Sequence, residues 1–304
     1  MSKKRVSRQP KAKRLHTARS EVEAFSAGIA PEFADWPAFQ LAFTDKEFLL
    51  REELRPLRLQ LEALKPEMVQ QDQHIEATIV FFGSARIPEP EVAQEQLAIA
   101  RQAAKEDPDN EALNHLMNVA KKICDKSRYY AESRKLSHMI SAARLRNRQK
   151  FKFVVMTGGG PGLMEAANRG ANEANAKSIA LNILLPREQN PNPYVTPELC
   201  FQFHYFAIRK LHFLLRAQAV VVFPGGFGTL DELFETLTLI QTEKMEPIPI
   251  LLFGKTYWDN VINFQAMVDE GVISPKDLAL FTYVETAEEA WEIICNFYHL
   301  NSSD

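Results

Sequence analysis

Cysteine is scarce. The chain has three in 304 residues (Cys124, Cys200 and Cys295), far apart, odd in number and without a CxxC pair. That excludes a disulfide framework and a zinc knuckle, and a reducing, cytoplasmic compartment is expected. Long apolar runs are missing as well: no stretch approaches the roughly 18 apolar residues of a membrane-spanning helix, so no membrane partner is expected. A net charge of only −3 provides no bulk field for a nucleic acid, and none is expected as a partner. Twelve glycines and seventeen prolines are too few for a collagen-like or low-complexity chain. What remains is a globular composition, long enough for one large or two modest domains.

Residues 1–14 hold seven basic residues and no acid. No apolar segment follows, which argues against a secretory signal and for a solvated basic arm, expected to be disordered over residues 1–30. A transit peptide or a tether to anionic surfaces is the alternative. Residues 31–76 read as a helical appendage punctuated by Pro31, Pro37, Pro56 and Pro66. From residue 77 to 304, strand-like runs alternate with helical patterns. The runs are Ala77–Phe82, Phe151–Met156, Ile179–Leu185, Cys200–Phe203, Ala219–Phe223, Ile248–Phe253 and Leu280–Val284. Several are continuous Val, Ile, Leu and Phe, as strands buried on both faces of a parallel sheet must be. The expected class is therefore α/β: a doubly wound, mainly parallel sheet of about seven strands with helices on both faces.

Sixty-eight residues, 83–150, separate the first two strands, far more than a crossover needs. A helical insertion is expected at about 88–150. It comprises a helix near 91–106, a break at Asp107-Pro108-Asp109, and one long helix near 111–147 capped by Asp109 or Asn110. Residues 121–150 carry a local net charge of +8. A solvated basic face is the plain reading. A wall that steers a phosphorylated substrate or meets an acidic neighbour is the other.

Two segments carry chemistry. Thr157-Gly158-Gly159-Gly160-Pro161-Gly162-Leu163-Met164-Glu165 follows a buried strand and opens a helix. Glycine permits positive φ and lets an anion approach bare N–H groups, while the helix N-terminus adds partial positive charge. A tight turn needing glycine only for sterics accounts poorly for four glycines in five positions. The second segment, Phe223-Pro224-Gly225-Gly226-Phe227-Gly228-Thr229-Leu230-Asp231-Glu232, repeats the design. Thr229 is placed to cap the helix and to offer a hydroxyl to phosphate. A capping box with Glu232 is the purely structural reading.

Familiar nucleotide motifs do not explain these loops. Neither fits GxGxxG, since Leu163 and Asp231 occupy the sixth positions, and Gly254-Lys255-Thr256 lacks the upstream glycine of a P-loop. A dinucleotide redox enzyme and a P-loop NTPase are both disfavoured. Two elements complete the rim. Phe82-Gly83-Ser84-Ala85-Arg86 ends the first strand, and Arg209-Lys210 form a basic pair on an otherwise apolar helix. A solvent stripe is the plain reading of that pair. A guanidinium fork on a phosphate or carboxylate is the chemical one.

Together, GGGPGLME, PGGFGTLDE, the upstream FGSAR and the intervening RK resemble the LOG ("lonely guy") family of nucleoside 5′-monophosphate phosphoribohydrolases, older annotation of which reads "possible lysine decarboxylase". The resemblance runs over about residues 77–300, and PGGxGTxxE at 224–232 is its most specific part. It implies a Rossmann-like fold, a homodimer or higher homo-oligomer, and hydrolysis of a nucleotide such as AMP or a cytokinin riboside monophosphate to free base and ribose 5-phosphate. It implies catalytic roles for Arg209 and Glu232, and a phosphate cradle of Gly158, Gly159, Gly160, Gly225, Gly226, Gly228 and Thr229. The adjoining Gly83, Ser84, Gly162, Met164, Glu165 and Lys210 complete the candidate substrate-binding set. Glu165 stands where shorter plant members commonly have glycine. With the 83–150 insertion and the N-terminal arm, the chain looks closer to longer bacterial members.

No metal cluster and no cofactor are expected. A pyridoxal phosphate decarboxylase needs a Schiff-base lysine and a pyridinium partner besides a phosphate cup, and only Lys210 lies at the rim. The competing class is a non-catalytic nucleotide sensor or carrier. The Arg209 and Glu232 pair separates the two, because phosphate binding alone does not require it.

Overall fold

The computed structural model describes residues 16–34, 36–146, 152–186 and 190–300. The first fifteen residues of the basic arm, Arg187, and the side chains from Arg144 to Lys150 lie outside the described residues. The chain forms two compact units, Met1–Arg58 and Leu59–Asp304.

In the first unit the disorder expected over 1–30 does not extend to Ala18–Gly28, which forms α1. Thr17 accepts the Ser20 N–H at 3.2 Å as its N-cap, and Arg19 pairs with Glu23 one turn on. Single turns follow at α2 (Pro31–Ala34) and α3 (Lys46–Leu49), the latter capped by Asp45. Phe33 meets Trp36 edge-on at 4.9 Å, and Phe25 lies 5.5 Å from Phe39. The helix α4 (Arg55–Asp72) spans the division between the units. Pro56 sits in its first turn, where a missing N–H is harmless, and Pro66 lies inside it.

The second unit is built on seven strands: β1 (Ala77–Phe82), β2 (Phe153–Thr157), β3 (Ser178–Ile183), β4 (Cys200–Phe203), β5 (Ala217–Val222), β6 (Ile250–Phe253) and β7 (Thr282–Val284). They form one sheet in the order β4-β3-β2-β1-β5-β6-β7, with every pairing parallel. The helices are α5 (Pro90–Glu106), α6 (Glu111–Lys126), α7 (Arg128–Arg146), α8 (Leu163–Glu173), α9 (Phe206–Leu214), α10 (Phe227–Gln241), α11 (Lys255–Val261), α12 (Phe264–Asp269) and α13 (Ala287–Phe297). The doubly wound α/β class is thus the observed one.

Alternation along the strands splits the core in two. Val80, Phe82, Met156, Val220, Val222 and Leu252 face a layer containing Phe213 of α9, Leu233 and Leu237 of α10, and Trp258 of α11. Ile79, Phe81, Val155, Val221 and Phe253 face Leu136 of α7, Ala166 and Ala167 of α8, and Ile294 of α13. All six residues of β1 and all five of β2 are buried, so neither strand has room for a polar alternate face.

The expected long helix over 111–147 is two helices. Ser127, itself buried, breaks it by bonding back to the Cys124 carbonyl, and Asn110 is the N-cap of the first. The second, α7, is the crossover helix of the β1-α-β2 unit, so the added part is the α5–α6 pair. Close packing of α7 on α8 requires Gly170, where a Cβ would lie 2.0 Å from the Arg134 carbonyl oxygen. Ser133 and Ser137 donate to the Leu163 and Ala167 carbonyls across the same seam. The basic stretch meets acids here: Arg128 with Glu285, Arg134 with Glu173 and Lys135 with Glu288.

Strand order decides where a ligand belongs. The sequence order reverses between β1 and β5, and β2 lies on the other side of β1. Phe81 is in register with both Thr157 and Val221, so the three strands end level. The FGSAR turn and both glycine loops therefore leave one stretch of the sheet's carboxyl edge, the usual ligand crevice of this class.

Candidate active site

A cavity of about 270 Å³ opens at that edge. Among the expected site residues, Gly83, Ser84, Gly158, Met164, Arg209, Gly226, Gly228, Thr229 and Glu232 line it. Phe82, Ala85, Arg86, Phe206 and Asp231 line it too. The two glycine loops thus open on the same space.

The first loop is held from behind. Gly159 has φ +76° and would drive a Cβ to 2.6 Å from Asn182, and Gly162, with φ +69°, lies against the Ser84 carbonyl. The Gly159 N–H donates to Thr157 Oγ1 at 2.9 Å. Asn192 donates its side-chain amide to the carbonyls of Gly159 and Gly160, both at 3.1 Å, and to Asn168 Oδ1 at 2.9 Å. Asn168 in turn receives Thr157 Oγ1 and donates to Ser178. These side chains are buried, and each bond satisfies a group that would otherwise be stranded away from water. Sequence reading missed Asn192, because an asparagine among prolines looks like a turn residue.

The second loop runs directly into α10. Gly226 is the N-cap and Thr229 lies within the first turn, so the helix begins three residues earlier than a Thr229 cap would require. The capping box with Glu232 is accordingly absent. The first-turn N–H groups have no acceptor inside the helix, and they carry the positive end of its dipole. Gly225 lies outside the cavity lining, with its carbonyl accepting from Tyr257 Oη at 2.5 Å.

Glu232 is 6 % exposed, and its Oε2 has no hydrogen-bond partner among the described residues. Burial pushes its carboxyl up to about 7, against the opposing pull of Arg209 and Lys210. Arg209 is not a solvent stripe residue. Its Nε donates to the Leu181 carbonyl at 2.8 Å, its guanidinium lies 5.1 Å from the Phe213 ring centre, and Nη2 reaches 2.8 Å from where a Gly158 Cβ would stand. Burial lowers its proton affinity, while Glu232 and Asp231 raise it.

Besides Gly225, five expected residues sit away from the cavity lining. Glu165 accepts from Tyr130 Oη at 2.8 Å on the α7 side. Gly160 lies beside the Met164 methyl, and Gly159 and Gly162 support the loop from within. Lys210 is also outside: it bridges Asp231 at 2.8 Å and Glu235 at 3.2 Å. Burial works against its charge, but those two carboxylates outweigh it and hold the ammonium above the ordinary lysine value. Among the described residues, no group of three or more His, Cys, Asp or Glu side chains is arranged to hold a metal ion, and no helix is long and apolar enough to cross a membrane.

The α/β sheet thus brings two glycine loops, an arginine and a buried carboxylate together at its switch point. Residues 164–294 match a family model described as "Possible lysine decarboxylase". The chain is 27 % identical over 164 residues to cytokinin riboside 5′-monophosphate phosphoribohydrolase LOG3 of Arabidopsis thaliana, covering 52 % of this chain and 75 % of that one. It is 28 % identical over 139 residues to LOG7 of the same plant, covering 45 % and 63 %. Thus it spans three-quarters of one relative and under two-thirds of the other. Among solved structures, the molybdenum cofactor carrier protein of Chlamydomonas reinhardtii superposes with a TM-score of 0.38 at 19 % identity, over 57 % of this chain and 89 % of that one. By sequence, the chain is similar to phosphoribohydrolases of the LOG type.

Proposed function

We propose that this protein hydrolyses the N-glycosidic bond of a nucleoside 5′-monophosphate, AMP or a cytokinin riboside monophosphate, to free base and ribose 5-phosphate. One observation carries the reading: a buried carboxylate oxygen of Glu232, without a partner among the described residues, beside the cavity that both glycine loops share. A mere phosphate cradle has no use for a buried acid, whereas a glycosidic bond has two.

As the C1′–N bond breaks, its electron pair leaves with the base and positive charge builds on the ribose. Glu232 takes the 2′ and 3′ hydroxyls, stabilises that charge and orients water. Water supplies hydroxyl to C1′, and the base nitrogen takes up a proton. A carboxyl that titrates near 7 is poised for that exchange at neutral pH, and the developing cation favours its ionised form. Arg209 fixes the pose at the phosphate or the leaving base. The α10 N-terminus, Thr229 and the first loop grip the 5′-phosphate, binding energy remote from the reacting bond. Lys210, kept protonated by two carboxylates, is a poor Schiff-base nucleophile, which disfavours the decarboxylase description.

The test is base release. Purified protein is incubated with each nucleoside monophosphate, and the products are separated by chromatography. Wild type is expected to release base and ribose 5-phosphate from at least one. Glu232→Gln is expected to lose roughly 10²-fold or more in rate while still binding the nucleotide. Near-normal turnover by that variant would overturn the assignment.

A further inference from the structure

Helix α4 is tied through its acids to the two ends of α9, the helix that carries Arg209. Both Glu62 carboxylate oxygens accept main-chain N–H groups, from His204 at 2.8 Å and from Tyr205 at 3.1 Å. Tyr205 is the N-cap of α9 and has no side-chain cap of its own. Its carbonyl accepts the Arg209 N–H at 3.1 Å, and Arg209 Nε then donates to the Leu181 carbonyl. Glu62 thus anchors the residue whose carbonyl holds the Arg209 main chain one turn on. At the far end of α9, Arg216 donates to both oxygens of Glu67 and to the Ile75 carbonyl. Two acids five residues apart on α4 therefore hold the two ends of the helix that carries Arg209 and Lys210.

We propose that Glu62 is a positioning residue for Arg209. It replaces the side-chain cap that α9 lacks and sets the height and rotation of the helix against β3. The proposal rests on the phosphoribohydrolase reading for its effect on rate, but not for its effect on α9. An ionised carboxylate suits the role twice over: it satisfies two N–H groups that no helix bond can reach, and it complements the positive end of the helix dipole. Arg209 lies one turn from the anchored residue, so a small displacement of that turn moves the guanidinium away from its seat over Gly158.

The experiment compares full-length wild type, Glu62→Gln and Glu62→Ala by two readouts. The first is base release per folded molecule. Glu62→Ala is expected to lose roughly tenfold or more in kcat with KM within twofold, because misplacing a positioning group costs rate steeply. Glu62→Gln, which keeps one acceptor oxygen, is expected to recover much of it. The second readout is amide hydrogen exchange, which needs no substrate. Amides of 204–209 are expected to exchange at least tenfold faster in Glu62→Ala, with β1 and β5 unchanged. If kcat and exchange both stay within twofold of wild type, Glu62 does not position Arg209. If wild type releases no base from any nucleotide, the reaction is wrong, and exchange alone then decides for or against the anchor. Should the alanine variant fail to fold, Glu62→Leu, which keeps bulk and has no acceptor, decides: a lower kcat at constant KM with faster local exchange supports the proposal, and wild-type values of both overturn it.

Discussion

The two glycine loops look alike in sequence and differ in what surrounds them. In the first, the protein itself accounts for the glycines that matter most: Gly159 and Gly162 have positive φ, and a Cβ on either would collide with Asn182 or with the Ser84 carbonyl. Gly158 and Gly160 face only the ends of Arg209 and Met164. The steric explanation that four glycines in five positions seemed to exceed therefore covers half of them outright. In the second loop, Gly225 packs on Thr229, but an added Cβ at Gly226 or Gly228 would meet nothing within 4 Å among the described residues. Both adopt their glycine character in open space at a helix N-terminus. The polar groups follow the same division. Behind the first loop, Thr157, Asn168 and Asn192 are mutually bonded, while beyond the second Glu232 has a buried oxygen with no partner among the described residues. The first loop is braced from behind by the protein, whereas the second borders open space at the cavity.

The largest effect belongs to the support. Gly159→Ala forces an L side chain into positive φ and against Asn182 and Ala180 together, and should cost about 3 kcal/mol or more in stability. Urea unfolding measures it. A loss below about 1 kcal/mol would mean that the loop has another conformation available, and the distinction between the loops would fail.

Next in size is the unused acid. The Glu232 carboxyl titrates near 7 when folded and near its ordinary 4.5 when unfolded. Its contribution to stability is therefore full below 4.5 and is lost as pH rises through 7, because burying the ionised form is then required. Glu232→Gln removes that penalty, so it should match wild type near pH 4.5 and exceed it by at most about 3 kcal/mol at pH 8. An equal difference at both pH values would show that the acid is satisfied after all.

The strands and both glycine loops were legible before the fold was known, the division between the loops was not, and what was hidden has a common cause. Continuous apolar runs identified the strands, since a strand buried on both faces leaves its mark in adjacent residues. Glycine loops were equally local. The Ser127 break was not, because a serine that bonds back to Cys124 lacks the signal of a Gly or Pro. Asn192 lies 33 residues from Gly159, and Glu62 lies 142 from His204. Nothing near either residue in the chain marks it, and only the strand order of the sheet brings the partners together. Lys210, a rim lysine in sequence, is paired in space with Asp231, which lines the cavity, and with Glu235.

The smallest expected effect is the most discriminating. Gly228→Ala adds one methyl in open space on a helix that favours alanine, so its unfolding midpoint should match or slightly exceed that of wild type. The same methyl stands among the first-turn N–H groups that a phosphate must approach. Affinity for ribose 5-phosphate, measured by titration calorimetry, should fall roughly tenfold, a little over 1 kcal/mol. Stability retained with affinity lost can arise only if the glycine serves a ligand. Should affinity stay unchanged while stability is kept, the open space at Gly228 has no occupant, and the second loop would be a support as well, with its load carried at Gly225.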